Sequence, residues 1–454
     1  MSATPGLLSR PRALILGALL GLILLARLLP LRVIQEEPEK ALWADSLTYL
    51  EVASLWLDGR GLTGTLASNA DLERPPGYPV FLASVFAVAG ENLPLVVFFQ
   101  LIMGAGVCGL LYLMGRLISP GVGYGAALIY ALMPDVVLWA MAILSDTLFT
   151  LLVAASLACL LLALRGRRIL LFLLSGVLLG VATLTRPIGL AILPIWAILL
   201  LARAAHGSGG RRAAILRSVL FLGAALLPIV LWSYRNLATH GLFTVSPINS
   251  TNLGRYHAPY TLAQAEGISL EEARARIPTS SPMAPGDRAR YLRVLLANPL
   301  EYVVVHMRGT WYLLSEVAQP NQAQLVGERF RTPGFLTALR DGDPARALAG
   351  LLTQLQDGRL RWFVILTWPS LAFLLALYLL SLIGGTHLVR HMGESRWIGV
   401  FMITTAAVFM LVPGPVGNGR FRVPAEPMLA FLASAGIAAI RRWIASRRHG
   451  RGRT

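Results

Sequence analysis

Residues 145–164 read SDTLFTLLVAASLACLLLAL and are followed at once by Arg165, Arg167 and Arg168. As an α-helix at 1.5 Å per residue, this run reaches about 30 Å, the thickness of the hydrocarbon core of a bilayer. A polar start and an arginine cluster at the far end are typical of a membrane span whose basic end faces the cytoplasm. The stretch therefore predicts a transmembrane helix with Asp146 at its outer end.

The composition of the whole chain agrees with this interpretation. Of the 454 residues, 56% are hydrophobic and 14% are charged, which is more apolar surface than one soluble core of this size can bury. Both cysteines, Cys108 and Cys159, lie inside apolar runs, which argues against a disulfide framework or a thiolate metal site. We expect an all-α polytopic membrane protein.

The apolar runs predict about ten transmembrane helices. The predicted spans are 13–31, 93–117, 121–141, 145–164, 169–185, 187–203, 215–233, 362–383, 397–413 and 424–441. Residues 78–90 are also apolar, but as a helix they reach only about 20 Å. We interpret that segment as a re-entrant or interfacial helix, and the sequence leaves those two alternatives open.

The net charge of +17 follows the predicted topology. Arginines cluster in alternate loops, as expected for the cytoplasmic side, and the clusters are Arg165–Arg168, Arg203–Arg217, Arg390–Arg396 and the tail from Arg441. Both termini are then inside, and the outer face receives residues 32–92 and 234–361. Because topology accounts for the basic excess, we expect membrane lipids and no nucleic acid as partners.

The spans divide the chain into three expected parts. Residues 1–233 form an N-terminal transmembrane catalytic module that includes the first external loop, 32–92. Residues 234–361 form an external region of short interfacial helices, the best of which follows Asn298-Pro299. Residues 362–454 form the C-terminal transmembrane helices and a basic cytoplasmic tail.

The first external loop carries the most informative polar residues. Asp45 and Tyr49 are four residues apart, so a helix over 44–57 places them one turn apart on one face. Further on, Glu73-Arg74-Pro75-Pro76-Gly77-Tyr78-Pro79 contains a proline pair that fixes an extended backbone. That geometry can hold Arg74 at the membrane surface, although Asp45 taken alone could simply favour a helix start.

Other outer junctions add more arginines and a second acid. Arg186, Arg235, Arg420 and Arg422 all follow or precede predicted spans on the outer side, against the positive-inside trend, and Asp146 lies there too. One guanidinium group can bind two oxygens of a phosphate at once, and a carboxylate can take a proton from a hydroxyl. Together these residues predict an outward-facing site for lipid-phosphate chemistry.

This arrangement resembles the GT-C glycosyltransferases, in particular the group that contains the protein O-mannosyltransferases and the lipid A aminoarabinose transferase. The motifs that carry the resemblance are Asp45-x-x-x-Tyr49, Glu73–Pro79, Ser145-Asp146, Leu184–Pro187, Arg235-Asn236, Asn298-Pro299-x-x-Tyr302 and Arg420–Pro424. They extend over most of the chain and occur at the ends of predicted spans.

The resemblance implies a membrane hexosyl- or pentosyltransferase that uses a polyprenyl-phosphate sugar donor on the outer face of the plasma (inner) membrane, with inversion. The acceptor is a hydroxyl of a lipid, a glycan or a protein, and neither it nor the sugar can be deduced. Asp45 is the implied base and Asp146 the second catalytic acid. Tyr49 and Tyr78 are expected to contact substrate.

The resemblance also implies a donor-phosphate site. We expect Arg74 and Arg422 to contact the donor phosphate. Arg186, Arg235 and Arg420 are second choices, because an arginine at the interface can simply extend its side chain to the lipid headgroups. Ser46 stands where the family commonly has Glu, and Asp146 where Glu is frequent. These departures weaken a metal bridge between the acids, so no metal ligand is predicted, although a divalent metal stays open as a cofactor.

A different class of protein fits part of the pattern. A lipid or solute transporter or flippase could use outward-facing, phosphate-binding arginines along a translocation path. The sequence shows neither an inverted repeat nor paired broken helices, and its polar residues gather on one face. The transferase is therefore the favoured interpretation.

Overall fold

A computed structural model describes residues 10–166, 168–205, 211–278, 287–317, 344–356, 361–390 and 394–451. Within these ranges the chain is helical and has no strand, which confirms the all-α prediction. The helices of the N-terminal half are α1 (Arg10–Ala26), α2 (Leu31–Glu36), α3 (Ala44–Leu57), α4 (Ala70–Glu73), α5 (Gly77–Ala89), α6 (Leu93–Gly115), α7 (Pro120–Ala131), α8 (Pro134–Ala140), α9 (Asp146–Gly166), α10 (Ile169–Thr183), α11 (Gly189–Ala205) and α12 (Arg211–His240).

The second half continues with short helices and then long ones. These are α13 (Ile248–Asn252), α14 (Ala258–Glu266), α15 (Leu270–Arg276), α16 (Asp287–Ala297), α17 (Pro299–Ser315), α18 (Pro344–Gln356), α19 (Arg361–Arg390), α20 (Glu394–Leu411) and α21 (Glu426–Arg451). A π-helical turn covers Leu253–His257, and 3₁₀ turns cover Pro38–Ala41, Gly414–Val416 and Gly419–Ala425.

Five helices of the described residues are long and apolar enough to cross a bilayer: Leu93–Gly115, Asp146–Gly166, Ile215–His240, Thr367–Arg390 and Gly419–Arg447. Shorter apolar helices coincide with further predicted spans, so the polytopic architecture is confirmed but the count of ten is not. Helix α5 has 13 residues. It coincides with segment 78–90, which was predicted to form a helix too short to cross the bilayer.

The predicted span 121–141 is broken. Helices α7 and α8 meet at an angle of 57°, and counting the bent pair as one span raises the number of spans to six. Pro134 explains the break, because proline has no N–H for the helical ladder and restricts the residue before it.

One predicted span also ends later than expected. It was predicted over 215–233, and helix α12 continues to His240. Its 30 residues reach about 45 Å, more than the roughly 30 Å thickness of the hydrocarbon core.

The core joins the two halves of the chain. Helix α21 packs against α19 and α7, while α10 packs against α9 and α12. The 3₁₀ turn Gly419–Ala425 lies between α8, α9, α17 and α20. This packing brings the C-terminal arginines to the start of α9, where the polar residues of the first loop also converge.

Candidate active site

Helix α3 presents Asp45 from its first turn. The backbone N–H of Trp43 donates to the Ser46 hydroxyl at 2.9 Å, which satisfies a free donor at the helix start. Ser46 in turn donates to the carbonyl of Ile143 at 2.8 Å. The residue that follows Asp45 therefore ties α3 to the chain segment just before α9.

Arg74 closes over the same helix. Its Nη2 donates to Asp45 Oδ1 at 2.7 Å, and its Nε donates to the Thr48 hydroxyl at 2.9 Å. The guanidinium also lies 4.9 Å from the centre of the Tyr49 ring, within the range of a cation–π contact. Because Asp45 and Tyr49 are one helical turn apart, their side chains together bind the guanidinium of Arg74.

Arg420 links the two acids that the sequence singled out. Its Nη1 donates to Asp45 Oδ2 at 2.6 Å, and its Nε donates to Asp146 Oδ2 at 2.7 Å. The other oxygen of Asp146 accepts from Arg186. Arginine is suited to this position because its planar fork can serve two carboxylates at once.

These contacts form one alternating row of charges, here called the arginine–aspartate network: Arg74, Asp45, Arg420, Asp146 and Arg186. Three cations face two anions, so the network carries a surplus of one positive charge. Asp146 is fully buried, whereas the Asp45 side chain is 36% exposed. The network is therefore open to incoming molecules at its Asp45 end.

The pKa values reflect this crowding of charges. Burial raises the pKa of Asp45, but the positive charges of Arg420 and Arg74 outweigh burial and hold it well below its ordinary value. Burial, together with the charge of Arg420, lowers the pKa of Arg186 to about 9. The network therefore holds more arginines than its carboxylates neutralise, and the arginines repel one another. A bound anion would reduce that repulsion.

A close backbone contact brings the two arginine-bearing turns together. The N–H of Gly77 donates to the carbonyl of Leu184 at 2.8 Å. A Cβ atom at Gly77 would lie 2.4 Å from the Thr185 hydroxyl and 2.9 Å from the Leu184 carbonyl oxygen. Glycine therefore permits the turn after Arg74 to touch the turn that carries Arg186.

Arg422 lies outside the network, contrary to the expectation that it meets a phosphate together with Arg74. Its guanidinium is fully buried and bonds to Asp135 and to Glu426, the latter at 3.2 Å. It also donates to the carbonyls of Leu313 and Glu316. With these donors engaged in the protein interior, Arg422 joins α8, α17 and α21, whereas Arg420 lies beside Asp45 and Asp146.

Arg235 is also placed elsewhere. It contacts Asp71 at 3.1 Å and donates to the carbonyls of Leu62 and Gly64. His240, one turn further along α12, contacts the same carboxylate at 2.7 Å. Arg235 therefore fastens the first external loop to α12 and does not join the other arginines.

The two tyrosines that were expected to contact substrate also differ in their position relative to the network. The Tyr49 ring packs under Arg74, and its hydroxyl lies 2.9 Å from the Ser145 hydroxyl. Tyr78 is fully buried and donates to Gln100 Oε1 at 2.7 Å. Tyr49 adjoins the network, whereas Tyr78 lies behind it in the protein interior.

Two residues near the network, Thr48 and Gln100, were not singled out from the sequence, and no hydrogen-bonding role was predicted for Ser46 or Ser145. The clearest signal was Gln100, the one amide in the apolar run 93–115, since polar side chains inside membrane helices have defined partners. Thr48 and the two serines carry no comparable signal, because short hydroxyl residues commonly bond to nearby backbone.

The residues do not fit a bridging metal ion. Arg420 occupies the position between Asp45 and Asp146, and each acid is also bonded to another arginine. In the part of the chain that the structure describes, no group of three or more His, Cys, Asp or Glu side chains is arranged to hold a metal.

Known proteins resemble this chain in part of its sequence and in its fold. Residues 73–233 match the family described as dolichyl-phosphate-mannose-protein mannosyltransferase, and this segment contains Arg74, Asp146 and Arg186. No curated protein matches the chain by sequence.

Solved structures of the oligosaccharyltransferase AglB from Archaeoglobus fulgidus share the fold. The form bound to an inhibitory peptide and a dolichol-phosphate has a TM-score of 0.51 and 13% identity, and covers 98% of this chain. The apo form has a TM-score of 0.52 and 14% identity, and covers 96%. The chain spans about half of AglB, 52% and 51% in the two structures.

A third solved structure is ArnT from Cupriavidus metallidurans bound to undecaprenyl phosphate. It is 16% identical, covers 96% of this chain and 79% of its own, and has a TM-score of 0.41, below the level at which a shared fold follows. The chain therefore shares the fold of AglB, and its residues 73–233 match the mannosyltransferase family.

Proposed function

We propose that this chain is a membrane glycosyltransferase that moves a sugar from a polyprenyl-phosphate donor to a hydroxyl acceptor on the outer face of the plasma membrane, with inversion. The observation that carries the proposal is the arginine–aspartate network, which combines a partly exposed carboxylate with a surplus cation. AglB is bound to a dolichol-phosphate in one of its structures, which supports a lipid phosphate as the anion that this site takes.

The chemistry follows from the two ends of the network. The acceptor hydroxyl lies beside Asp45, and its oxygen forms a bond to the anomeric carbon as the bond from that carbon to the phosphate oxygen breaks. The hydroxyl proton passes to Asp45, and the bonding electrons leave with the polyprenyl phosphate. Attack from the side opposite the phosphate inverts the anomeric centre.

The arginines act mainly on the leaving group. Arg420 and Arg186 bond Asp146, the buried end of the network, and each can turn N–H groups toward a phosphate. Negative charge grows on that phosphate during transfer, so fixed guanidinium groups stabilise the transition state more than the bound donor. Arg74 holds Asp45 toward the acceptor and belongs to the same row.

Donor binding also tunes the base. In the free protein, two arginines hold the pKa of Asp45 far below its usual range, which makes it a weak proton acceptor. A donor phosphate that draws Arg420 toward itself removes one of those charges, so the pKa of Asp45 rises. The base therefore becomes stronger when the leaving group is in place.

The outer-face assignment rests on the ends of α9. Asp146 begins this helix and Arg165 lies in its last turn, and the turn with Arg186 is at the Asp146 end. Because basic clusters mark the cytoplasmic side, the network is assigned to the opposite face.

The test is donor turnover by the purified protein in lipid nanodiscs, with a panel of radiolabelled polyprenyl-phosphate sugars and a membrane and glycan extract as acceptor. We expect release of free polyprenyl phosphate together with labelled acceptor. In sealed vesicles, movement of intact donor across the bilayer without cleavage would instead identify a transporter.

A further inference from the structure

A non-helical break inside the bundle precedes Asp146. Residues 141–145 connect α8 to α9, and all five are buried. The N–H groups of Met141 and Ala142 still donate to the carbonyls of α8, and the Leu144 N–H donates to the Ala142 carbonyl at 2.8 Å. The remaining backbone groups of the break need partners from other parts of the protein, because apolar surroundings offer no water to replace them. The shape of this break depends on the side chains that bond to it.

Gln100 of α6 bonds the break from one side. Its Nε2 donates to the carbonyls of Ala140 at 2.7 Å and Ala142 at 2.8 Å, and its Oε1 accepts from the Tyr78 hydroxyl at 2.7 Å. Both amide hydrogens are used, and the side chain is fully buried. The Tyr78 bond fixes which way round the amide lies, so both hydrogens point at the break.

The first external loop bonds the break from the other side. The N–H of Ile143 donates to the carbonyl of Ala41 at 2.9 Å, and its carbonyl accepts from Ser46 at 2.8 Å. The Tyr49 hydroxyl lies 2.9 Å from that of Ser145. Ser46 directly follows Asp45 and Ser145 directly precedes Asp146, so the break sets the distance between the two acids.

We propose that Gln100 is a positioning residue for Asp146: it holds the break at residues 140–142 and so places the Asp146 carboxylate between Arg420 and Arg186. This inference rests on the proposed function. The hydrogen bonds of Gln100 go to Tyr78, Ala140 and Ala142 and not to the five side chains of the network, so it acts through the backbone that leads to Asp146.

The chemistry of the side chain explains why an amide is needed. Methionine has nearly the same length and fits an apolar helix, but it removes the side-chain donor to the Ala140 carbonyl. It also removes one of the two donors to the Ala142 carbonyl, which otherwise accepts from Gln100 and from the Leu144 N–H. A buried glutamic acid in its neutral form has one O–H and can serve one of the two carbonyls. Only an amide donates twice from one nitrogen while it accepts from Tyr78.

The experiment compares Gln100→Met with wild type and with Thr405→Val. The Thr405 hydroxyl accepts a buried hydrogen bond from the Trp196 indole N–H at 2.9 Å. Thr405→Val therefore removes a buried hydrogen bond, as Gln100→Met does, but without affecting the break. We expect Gln100→Met to lower the transfer rate per folded protein by about 10²-fold, the effect of a displacement of about 1 Å, and Thr405→Val to leave it near wild type. Amide hydrogen exchange of residues 141–146 should become faster only in Gln100→Met.

A double-mutant cycle separates positioning from general damage. In an Asp146→Asn background, the further loss caused by Gln100→Met should nearly vanish, since both changes act on one carboxylate. Equal losses in both backgrounds, or unchanged hydrogen exchange at 141–146, would overturn the proposal. If Gln100→Met does not fold, Tyr78→Phe decides: we expect a several-fold loss and faster exchange, and wild-type values for both would refute the role.

The two proposals fail in different ways. A wild-type protein that consumes no polyprenyl-phosphate donor refutes the proposed function. The hydrogen exchange of residues 141–146 in Gln100→Met still decides whether Gln100 holds the break, because that measurement needs no turnover.

Discussion

At the scale of single residues, two arginines that are neighbours in sequence have different roles. Arg420 serves Asp45 and Asp146 at the partly exposed network, whereas Arg422 is fully buried with Asp135 and Glu426. Both lie in a 3₁₀ turn, where each residue rotates by about 120°, so positions two apart point to different sides. We therefore propose a catalytic role for Arg420 and a stabilising role for Arg422.

Replacement of these two arginines should separate the roles. Arg420→Lys keeps the charge but offers a single nitrogen in place of a fork, so transfer should fall by about 10²-fold or more at an unchanged melting temperature. Arg422→Met removes the buried guanidinium that bonds Asp135 and Glu426, and should cost about 3–5 kcal/mol of stability. Thermal unfolding and transfer rates check both, and a stable but inactive Arg422→Met protein would contradict the assignment.

The sequence identified much of the site at this scale. Asp45, Arg74, Asp146, Arg186 and Arg420 were all named from their positions at span ends, and the structure brings all five together. It could not rank Arg420 above Arg422, because the sequence does not reveal a 3₁₀ turn and its side-chain directions. Arg235 was misplaced for a related reason: α12 continues to His240, which turns Arg235 toward the first loop.

At the scale of elements, the contact between two turns holds the network together. The turn that follows Arg74 reaches the turn of Arg186 through the Gly77 N–H and the Leu184 carbonyl. Proline-rich turns of this kind are stiff, so a displacement at Gly77 moves Arg74 as well.

Gly77→Ala tests this contact. The new methyl group would meet the Leu184 carbonyl and the Thr185 hydroxyl at distances that atoms do not adopt, so the turns must separate. We expect transfer to fall by about 10²-fold, as for other displacements near 1 Å. Gly109→Ala is the matched control, because nothing lies within 4 Å of a Cβ there; equal activity of the two variants would argue against the contact.

The elements themselves were predicted unevenly. Long apolar runs such as 93–117 and 145–164 became α6 and α9 with boundaries close to those expected. The run 121–141 was predicted as one helix, yet it breaks before Pro134 and bends by 57°. Hydropathy cannot detect such a break, since the residues on both sides are equally apolar; only the proline marks it.

At the scale of the whole molecule, the network draws on distant parts of the chain. Four of its residues lie in the expected catalytic module 1–233, but Arg420 comes from the C-terminal part. The family match over residues 73–233 likewise contains only Arg74, Asp146 and Arg186. We therefore propose that the catalytic unit needs both the N-terminal and the C-terminal helices.

The orientation of the molecule in the membrane can be measured with single cysteines. In a background with Cys108→Ala and Cys159→Ala, Ser68→Cys on the first loop should react with an impermeant maleimide added to intact cells. Gly166→Cys, at the opposite end of α9 from Asp146, should react only after permeabilisation. Both positions are exposed. The reverse labelling pattern would place the network on the cytoplasmic face.

In the proposed reaction, Asp45 receives the acceptor proton while the donor phosphate is bound beside it. The most direct test measures the rate of sugar transfer from a polyprenyl-phosphate donor by wild type, Asp45→Asn and the control Asp58→Asn, with donor binding measured separately. The exposed side chain of Asp58 lies at the end of the same helix. We expect a loss of about 10²–10⁴-fold for Asp45→Asn with donor binding retained, and wild-type rates for Asp58→Asn. Transfer at the wild-type rate by Asp45→Asn would contradict the role of Asp45 as the base.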